Sequence, residues 1–502
     1  MAGSITNICA ICAWRATCQK KFSLSGRSTY CPDFVRDVTI KEESETVEEK
    51  EEKKMDLNRL KGMISISDGV LKIHDVAGLK EIMDSLIYEA VFEPDDTKKR
   101  SYLLLIKEIA KAGGAIPSSI QGLYEEMGRE YPNFTVPAIN IRGLTYDVAK
   151  AVFRKAIEKD VGALIFEIAR SEIGYTKQRP LEYATTVLAA AFKEGFTGPV
   201  FIQGDHFQIV RKNFLSDPEA EKGYVKGLIK EAIEAEFYNI DIDTSTLVDL
   251  ERPTIKDQQR PNFERTAELA EYVRGLQPEG IDISIGGEIG EIGGKNSTPE
   301  ELRAYLDGFK EIFKGRKGLS KLSVQTGTAH GGVVLPDGSL AKVKIDFDTL
   351  RILSDIARKE YRLSGCVQHG ASTLPEEAFN MFPETGTSEV HLATGFQNII
   401  YDSKHLPESF RKEVYEFIRT EYAKEWKEGQ TEEQFIYSTR KKGFGPLKKM
   451  WWDLSRDVRE PIMKELEDRF SLLFNRLRVE GTKELVNKTV KPVLVRKEIS
   501  ID

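Results

Sequence analysis

Residues 199–206 read PVFIQGDH. Five residues suited to a buried strand meet a glycine, and an acid and a histidine follow directly. A short apolar run bounded by glycine and proline predicts a strand covered on both faces, the type found in parallel sheets. Helical stretches lie on either side of it. Seven further segments repeat the pattern: TVPAINI (135–141), GALIFEI (162–168), FYNIDID (237–243), IDISIGGE (281–288), KLSVQTG (321–327), RLSGCVQH (362–369) and EVHLATG (389–395). Between them run helical patterns such as DVAKAVFRKAIEKD (147–160) and ERTAELAEYVRGL (264–276). Eight strands alternating with helices is the period of a (β/α)₈ TIM barrel. A doubly wound open sheet usually carries fewer strands, and its glycine fingerprint is absent here.

Outside 131–404, the expected barrel, the pattern changes. Residues 55–130 read as a helical extension, with LKEIMDSLIYEAVF (79–92) and YLLLIKEIAKAGG (102–114) at helical spacing. Residues 405–502 read as a second helical extension. The aromatic cluster Met450-Trp451-Trp452 within it is expected to pack on the barrel or on a second subunit. A Glu/Lys-dense run over 41–54 predicts solvated, disordered chain, so folded sequence is expected to begin near Met55. Residues 1–32 are basic and acid-free. They read either as an organellar targeting segment or as sequence preceding the true start.

The 502 residues are 40% hydrophobic, with a net charge of -7. That balance gives no electrostatic reason to expect nucleic acid or an anionic membrane as partner. No apolar run approaches the roughly 20 residues that cross a bilayer. Four of the five cysteines fall at Cys9, Cys12, Cys18 and Cys31, leaving Cys366 for the rest of the chain. Such usage favours a reducing compartment, and a cytoplasmic location is expected. Cys9-x-x-Cys12 lacks the second ligand pair of a zinc module.

The chemistry gathers on histidine. Of six histidines, three stand at or just past predicted strand ends beside glycine: His206 in GDHF, His330 in TAHGG and His369 in VQHGA. The C-terminal strand ends of a barrel share one face, so the three converge. Three imidazoles leave a coordination position open, as a catalytic metal requires. Zinc is the default by ligand type, and cobalt or iron accept the same nitrogens. His74 and His405 fall outside the pattern and receive no role. Asp205 adjoins His206 and points differently while staying near the metal, where a carboxylate can exchange a proton with a substrate hydroxyl. Asp243 and Glu288 end the fourth and fifth strands, Glu288 within the glycine-rich GGEIGEIGG. Gly331, Gly332, Gly370-Ala371-Ser372 and Ala393-Thr394 provide small residues after the later strands, where barrels build phosphate sites from backbone N–H groups.

In this order the segments resemble class II, metal-dependent ketose-bisphosphate aldolases, the fructose-bisphosphate aldolases among them. The resemblance covers 135–400. VPAINI resembles that family's first strand and brings in Asn140. GDH resembles its Asp-His pair, IDTS its strand-four IDGS, and GEIGEIGG its GELGxxGG with Glu288. GTAHGG and QHGAS resemble the segments holding its other two metal histidines, and EVHLAT its last strand. The resemblance implies a zinc enzyme, with a monovalent cation as a further possibility, that cleaves a phosphorylated ketose such as fructose 1,6-bisphosphate, a glycolytic type of reaction. It further implies Asp205 and Glu288 as catalytic residues and His206, His330 and His369 as ligands. Asn140, Asp243, Gly331, Gly370, Ser372, His391, Ala393 and Thr394 then face substrate or phosphate. A homo-oligomer is expected. Four departures stand out: His391 where the family has a substrate-contacting asparagine, Lys295-Asn296 where acids follow the paired glycines, Val334 for a lysine, and Gly395 for an acid. They motivate a competing expectation, a metal-binding but catalytically silent barrel that stabilises or regulates a partner subunit.

Overall fold

A computed structural model describes residues 57–67, 69–290, 295–327, 335–336 and 345–496. Eleven strands occur among them: β1 (Ile64–Ser67), β2 (Val70–Ile73), β3 (Ala115–Ser118), β4 (Val136–Asn140), β5 (Ile165–Ala169), β6 (Gly198–Gln208), β7 (Asn239–Asp243), β8 (Ser284–Glu288), β9 (Lys321–Val324), β10 (Cys366–Gln368) and β11 (Glu389–Leu392). Strands β4 to β11 pair in parallel in the order β6-β5-β4-β11-β10-β9-β8-β7, and β6 also pairs with β7. That last pairing closes the sheet into the eight-stranded barrel the sequence period predicts. Every residue of β4, β5, β7 and β8 is buried, which is why these strands read as near-continuous runs without alternation. Helices fill each connection, from Thr145–Glu158 after β4 to Phe347–Tyr361 after β9. Helix Pro299–Ile312 begins at a capping box in which Thr298 and Glu301 satisfy each other's backbone N–H groups.

The region before the barrel is more than helices and turns. Helices Val76–Phe92 and Asp96–Ala112 are present, but β1 and β2 form an antiparallel hairpin, Ile64 opposite Ile73. Strand β3 adds to the barrel sheet, Ala115 opposite Gly198 and Ser118 opposite Phe201. Four-residue strands are too short to show a period against flanking helices, and Pro117 sits in an outer strand, where its missing N–H costs no pairing. Asn239 locks β3 in place by donating to Ser118 O (3.2 Å) and accepting from Ile120 N–H (2.8 Å).

The tail packs on the barrel through its aromatic residues. Trp451 lies 4.7 to 5.1 Å, centroid to centroid, from Phe410, Phe444 and Tyr401. Trp452 meets Phe92 and the barrel residue Tyr146, at 5.6 and 6.3 Å. Among the described residues no helix is long and apolar enough to cross a membrane.

Candidate functional site

Strand geometry sends neighbouring side chains to opposite faces. Asp205 and His206 break that rule. One extra residue bulges out between Gly204 and Phe207 where β6 pairs with β7, and His206 adopts φ +42°. The left-handed region costs a non-glycine residue about 1 to 3 kcal/mol, a strain that concentrates at functional sites. Both side chains consequently line one cavity of about 460 Å³ at the C-terminal ends of β4, β5, β6, β10 and β11. The sequence expectation that Asp205 points differently from His206 while staying near the histidines is met in its second part, with Oδ1 3.7 Å from His206 Nε2 and 3.6 Å from His369 Nε2.

Around His206 the site is rich in acid. Its Nδ1 lies 2.9 Å from Glu288 Oε2 and 3.3 Å from Asp243 Oδ2. Asp243 is itself fixed by Ser245, whose N–H and hydroxyl donate to Oδ1 at 3.0 and 2.7 Å. The His369 ring stands 4.0 Å from that of His206, and its Nε2 is 3.6 Å from Asp205 Oδ1. One donor atom from each of His206, Glu288 and His369 falls within 4.8 Å of the others. Two imidazole nitrogens and a carboxylate oxygen are a donor set that suits a divalent transition metal, zinc included. His330, Gly331, Gly332 and Val334 lie outside the described residues.

The surrounding acids and burial set the charge states of these groups. Burial disfavours a charged His206, but Asp205 and Glu288 outweigh it and hold its pKa well above the ordinary value. Burial pushes His369 well below, helped by the charges of His206 and His391. Burial alone would raise Asp205; His206 and His391 reverse this and keep its carboxyl well below the usual range. The site thus presents an ionised Asp205 and a negative field that attracts a cation.

Beneath Asp205 the barrel interior holds a charged layer that sequence reading missed. His391 Nδ1 is 3.1 Å from both Asp205 Oδ1 and Glu167 Oε2, and its Nε2 is 2.6 Å from Glu389 Oε1. Lys321 Nζ sits 2.6 Å from Glu389 and 2.9 Å from Asp241, and donates to Gln203 Oε1 at 2.7 Å. Tyr124 donates its hydroxyl to Glu389. Gly286 leaves room for this layer, because a Cβ there would collide with the Asp241 carboxylate. His391 borders the cavity as expected for a substrate contact, yet both ring nitrogens already face carboxylates. The signal lay in charged residues inside strand runs: Glu167 within GALIFEI, and Glu389 and His391 two apart, hence on one face.

Asn140, Gly370, Ser372, Ala393 and Thr394 line the same cavity. The two small-residue turns touch: Gly395 N–H donates to Ser372 Oγ at 3.1 Å, and a Cβ at Gly395 would collide with the Ser372 carbonyl. A glycine in place of the family's acid therefore has a steric reason. Asn140 Nδ2 donates to Glu172 Oε2 at 2.6 Å. Sequence reading missed Glu172 and Arg142. Arg142 Nε donates to Glu172 Oε1 at 2.7 Å, and Nη1 reaches Gln397 Oε1 at 2.9 Å and Thr394 Oγ1 at 3.3 Å. Asn296 of the altered strand-five loop donates to Asp346 Oδ2 at 2.9 Å, and the same carboxylate accepts from Thr349.

Residues 129–441 match the sequence family described as Fructose-bisphosphate aldolase class-II. No curated protein sequence matches the chain. Three solved structures illustrate what it is similar to. The fructose-bisphosphate aldolase of Campylobacter jejuni shares 17% identity, with 73% of this chain and 97% of that one covered, at a TM-score of 0.42. The YdjI aldolase of Escherichia coli K12 shares 14%, covering 73% and 99%, at 0.43. The fructuronate-tagaturonate epimerase of Cohnella laeviribosi shares 12%, covering 85% and 94%, at 0.46. Identities this low carry no residue role from those proteins to this one.

Proposed function

This chain belongs to the class-II fructose-bisphosphate aldolase family, and we propose that it is an aldolase-type lyase that reversibly cleaves a phosphorylated ketose. The products are a dihydroxyacetone-phosphate-type ketone and an aldehyde. The observation that carries the reading is the position of the Asp205 carboxylate, 3.6 Å from His369 Nε2 and 3.7 Å from His206 Nε2, beside the donor atoms of His206, Glu288 and His369. In this proposal His206, His330 and His369 hold the ion and Glu288 stays beside them, which leaves a coordination position open for substrate. A divalent ion held there, zinc by ligand type, supplies Lewis acidity to the substrate carbonyl.

The chain's own residues do the rest. Asp205 takes the proton from the hydroxyl on the far carbon of the breaking C–C bond, whose electron pair moves toward the carbonyl. His391 holds that carboxylate at 3.1 Å and is itself held by Glu389. Gly370, Ser372 and Thr394 hold the phosphate, with Gly331 added from the same turn pattern. Glu288 stands at the end of β8, where it faces His206 and opens the glycine-rich segment.

The test is metal content together with chelator-sensitive cleavage of a panel of ketose phosphates. One equivalent of zinc and turnover that chelator abolishes and zinc restores are expected. Full metal loading with no ketose phosphate cleaved, and Asp205→Ala altering stability alone, would overturn the lyase reading in favour of a silent metal-binding subunit.

A further inference from the structure

The cavity that holds the metal donors is also lined by two neighbouring cations, Arg142 and Lys441. Arg142 is nearly buried, its side chain 12% exposed, and shares one carboxylate, Glu172. Lys441 is partly buried and lines the same cavity. Its ammonium lies 5.7 Å from the Tyr175 ring centroid, and among the described residues it makes no ion pair. Glu172 is the acid that both cations feel, with Asp205 acting also on Arg142 and Glu425 on Lys441. Burial and the Arg142 charge push the Lys441 pKa down. Holding like charges together in a desolvated wall is unfavourable unless something anionic completes the group.

The fold goes to some length to place this lysine. Lys441 belongs to a turn of 3₁₀ helix, Arg440–Gly443, that lies after the last barrel strand. Arg440 pins the turn to the barrel by pairing with Asp402 at 2.5 and 3.0 Å and donating to Asn398 at 2.8 Å. Gly445 packs so closely on the Tyr175 carbonyl that a Cβ would collide with it. A polar atom in the same lining lacks a partner: Asn140 Oδ1 is buried without a hydrogen bond, while the Tyr175 hydroxyl faces Glu172. Asn140 is only 2% exposed. A lysine with no ion pair among the described residues, an arginine and a buried unpaired amide oxygen around an open cavity describe a binding surface, not a structural ion pair.

We propose that Arg142 and Lys441 form an anion subsite that takes the charged terminal group of a sugar, a carboxylate or a phosphate, while its carbonyl end faces His206, Glu288 and His369. Asn140 and Tyr175 meet hydroxyls along the chain between. Lys441, delivered from beyond the barrel, is the specificity residue that selects charged over neutral sugars. This rests on the metal-end reading for the direction of the substrate, but not for the binding of the anion.

Calorimetric titration of the full-length, zinc-loaded protein tests it without requiring turnover. The probes are fructose 6-phosphate, glucuronate and neutral fructose. Both charged sugars are expected to bind more tightly than fructose, and the stronger of the two identifies phosphate or carboxylate as the natural group. Lys441→Ala is expected to weaken the charged sugars by about tenfold or more, as for loss of a hydrogen bond to a charged group. Lys441→Arg retains most of the affinity, and fructose is unaffected by either change. The proposal is overturned if wild-type protein binds fructose as tightly as the charged sugars, or if Lys441→Ala leaves all three affinities unchanged or weakens all three equally. Absence of cleavage alongside intact charge-selective binding would sink the lyase reading and leave the subsite standing.

Discussion

Two clusters of buried charge share one recipe and serve different ends. At the base of the barrel, Lys107 and Lys111 face Glu108 and Glu236. Lys111 Nζ lies 2.6 Å from Glu108 and 2.9 Å from Glu236, Lys107 Nζ lies 3.3 Å from Glu236, and Lys111 also donates to Val495 O at 2.5 Å. Two cations meet two acids, and none of the four lines the cavity described above. Inside the barrel, Lys321 and His391 face Glu167, Asp205, Asp241 and Glu389. Here acids outnumber cations, and the surplus reaches the cavity through Glu167 and Asp205. Burial and the Asp205 charge raise Glu167 well above the ordinary carboxylate value, and burial raises Asp241 to about 6. The interior layer thus places a carboxyl with a raised pKa, Glu167, next to Asp205, whereas the basal cluster matches its acids and cations in number. Charge balance, more than the presence of buried charge, separates a chemical site from a structural clamp.

The contrast can be broken at four points. The largest effect is expected from Asp205→Asn, which keeps the shape but not the base: turnover should fall about 10²- to 10⁴-fold. Zinc content and melting temperature should hardly move, and a loss of activity that merely tracks unfolding would erase the distinction. Next is Lys321→Met. It leaves Asp241 and Glu389 without their shared cation, at a cost of about 3 to 5 kcal/mol in urea unfolding. Because Glu389 also orients His391, the folded fraction should turn over more slowly as well.

Glu236→Gln is the basal counterpart. It strips two lysines of a shared acid and should cost about 3 kcal/mol, with turnover per folded molecule and metal content unchanged. A fall in turnover would mean that the base is coupled to the mouth. The smallest effect concerns pH. Burial lowers Lys107 from 10.5 to about 8. Below pH 8 both folded and unfolded chains hold this proton, and the full penalty of burying the charge is present. Between pH 8 and 10.5 the folded chain has released it and the unfolded chain has not, so stability rises with pH. Lys107→Met lacks this rise. The wild type should therefore gain on the variant by on the order of 1 to 2 kcal/mol between pH 7.5 and 9.5. A constant gap in urea unfolding at the two pH values would remove Lys107 from the account.

Particular residues show how far one dimension reaches. The barrel was legible because strands buried on both faces cannot alternate, and their runs stand out against helices of period 3.6. The pairing of Asp205 with His206 was visible as neighbours, and Glu288, Asp243 and His369 as strand-end residues. Their facing one another within 4 Å was not, since it depends on a bulge of one residue and a positive φ at His206. Hairpin β1–β2 and strand β3 escaped notice because four residues hold too little periodicity.

The sequence by itself determined the eight-stranded barrel, the acid and histidine at the end of its third strand, and the glycine-flanked turns of one rim. These are local facts, set by side-chain period, backbone freedom and the shared direction of parallel strands. Only the tertiary structure decided that His391 would join Asp205 to Glu389, that Arg142 would join Glu172 to Thr394, and that Lys441 would enter the cavity from beyond the barrel. Arg142 meets Glu172 from 30 positions away, His391 meets Asp205 from 186 and Arg142 meets Thr394 from 252. Electrostatic coupling falls with distance in space and takes no account of distance along the chain.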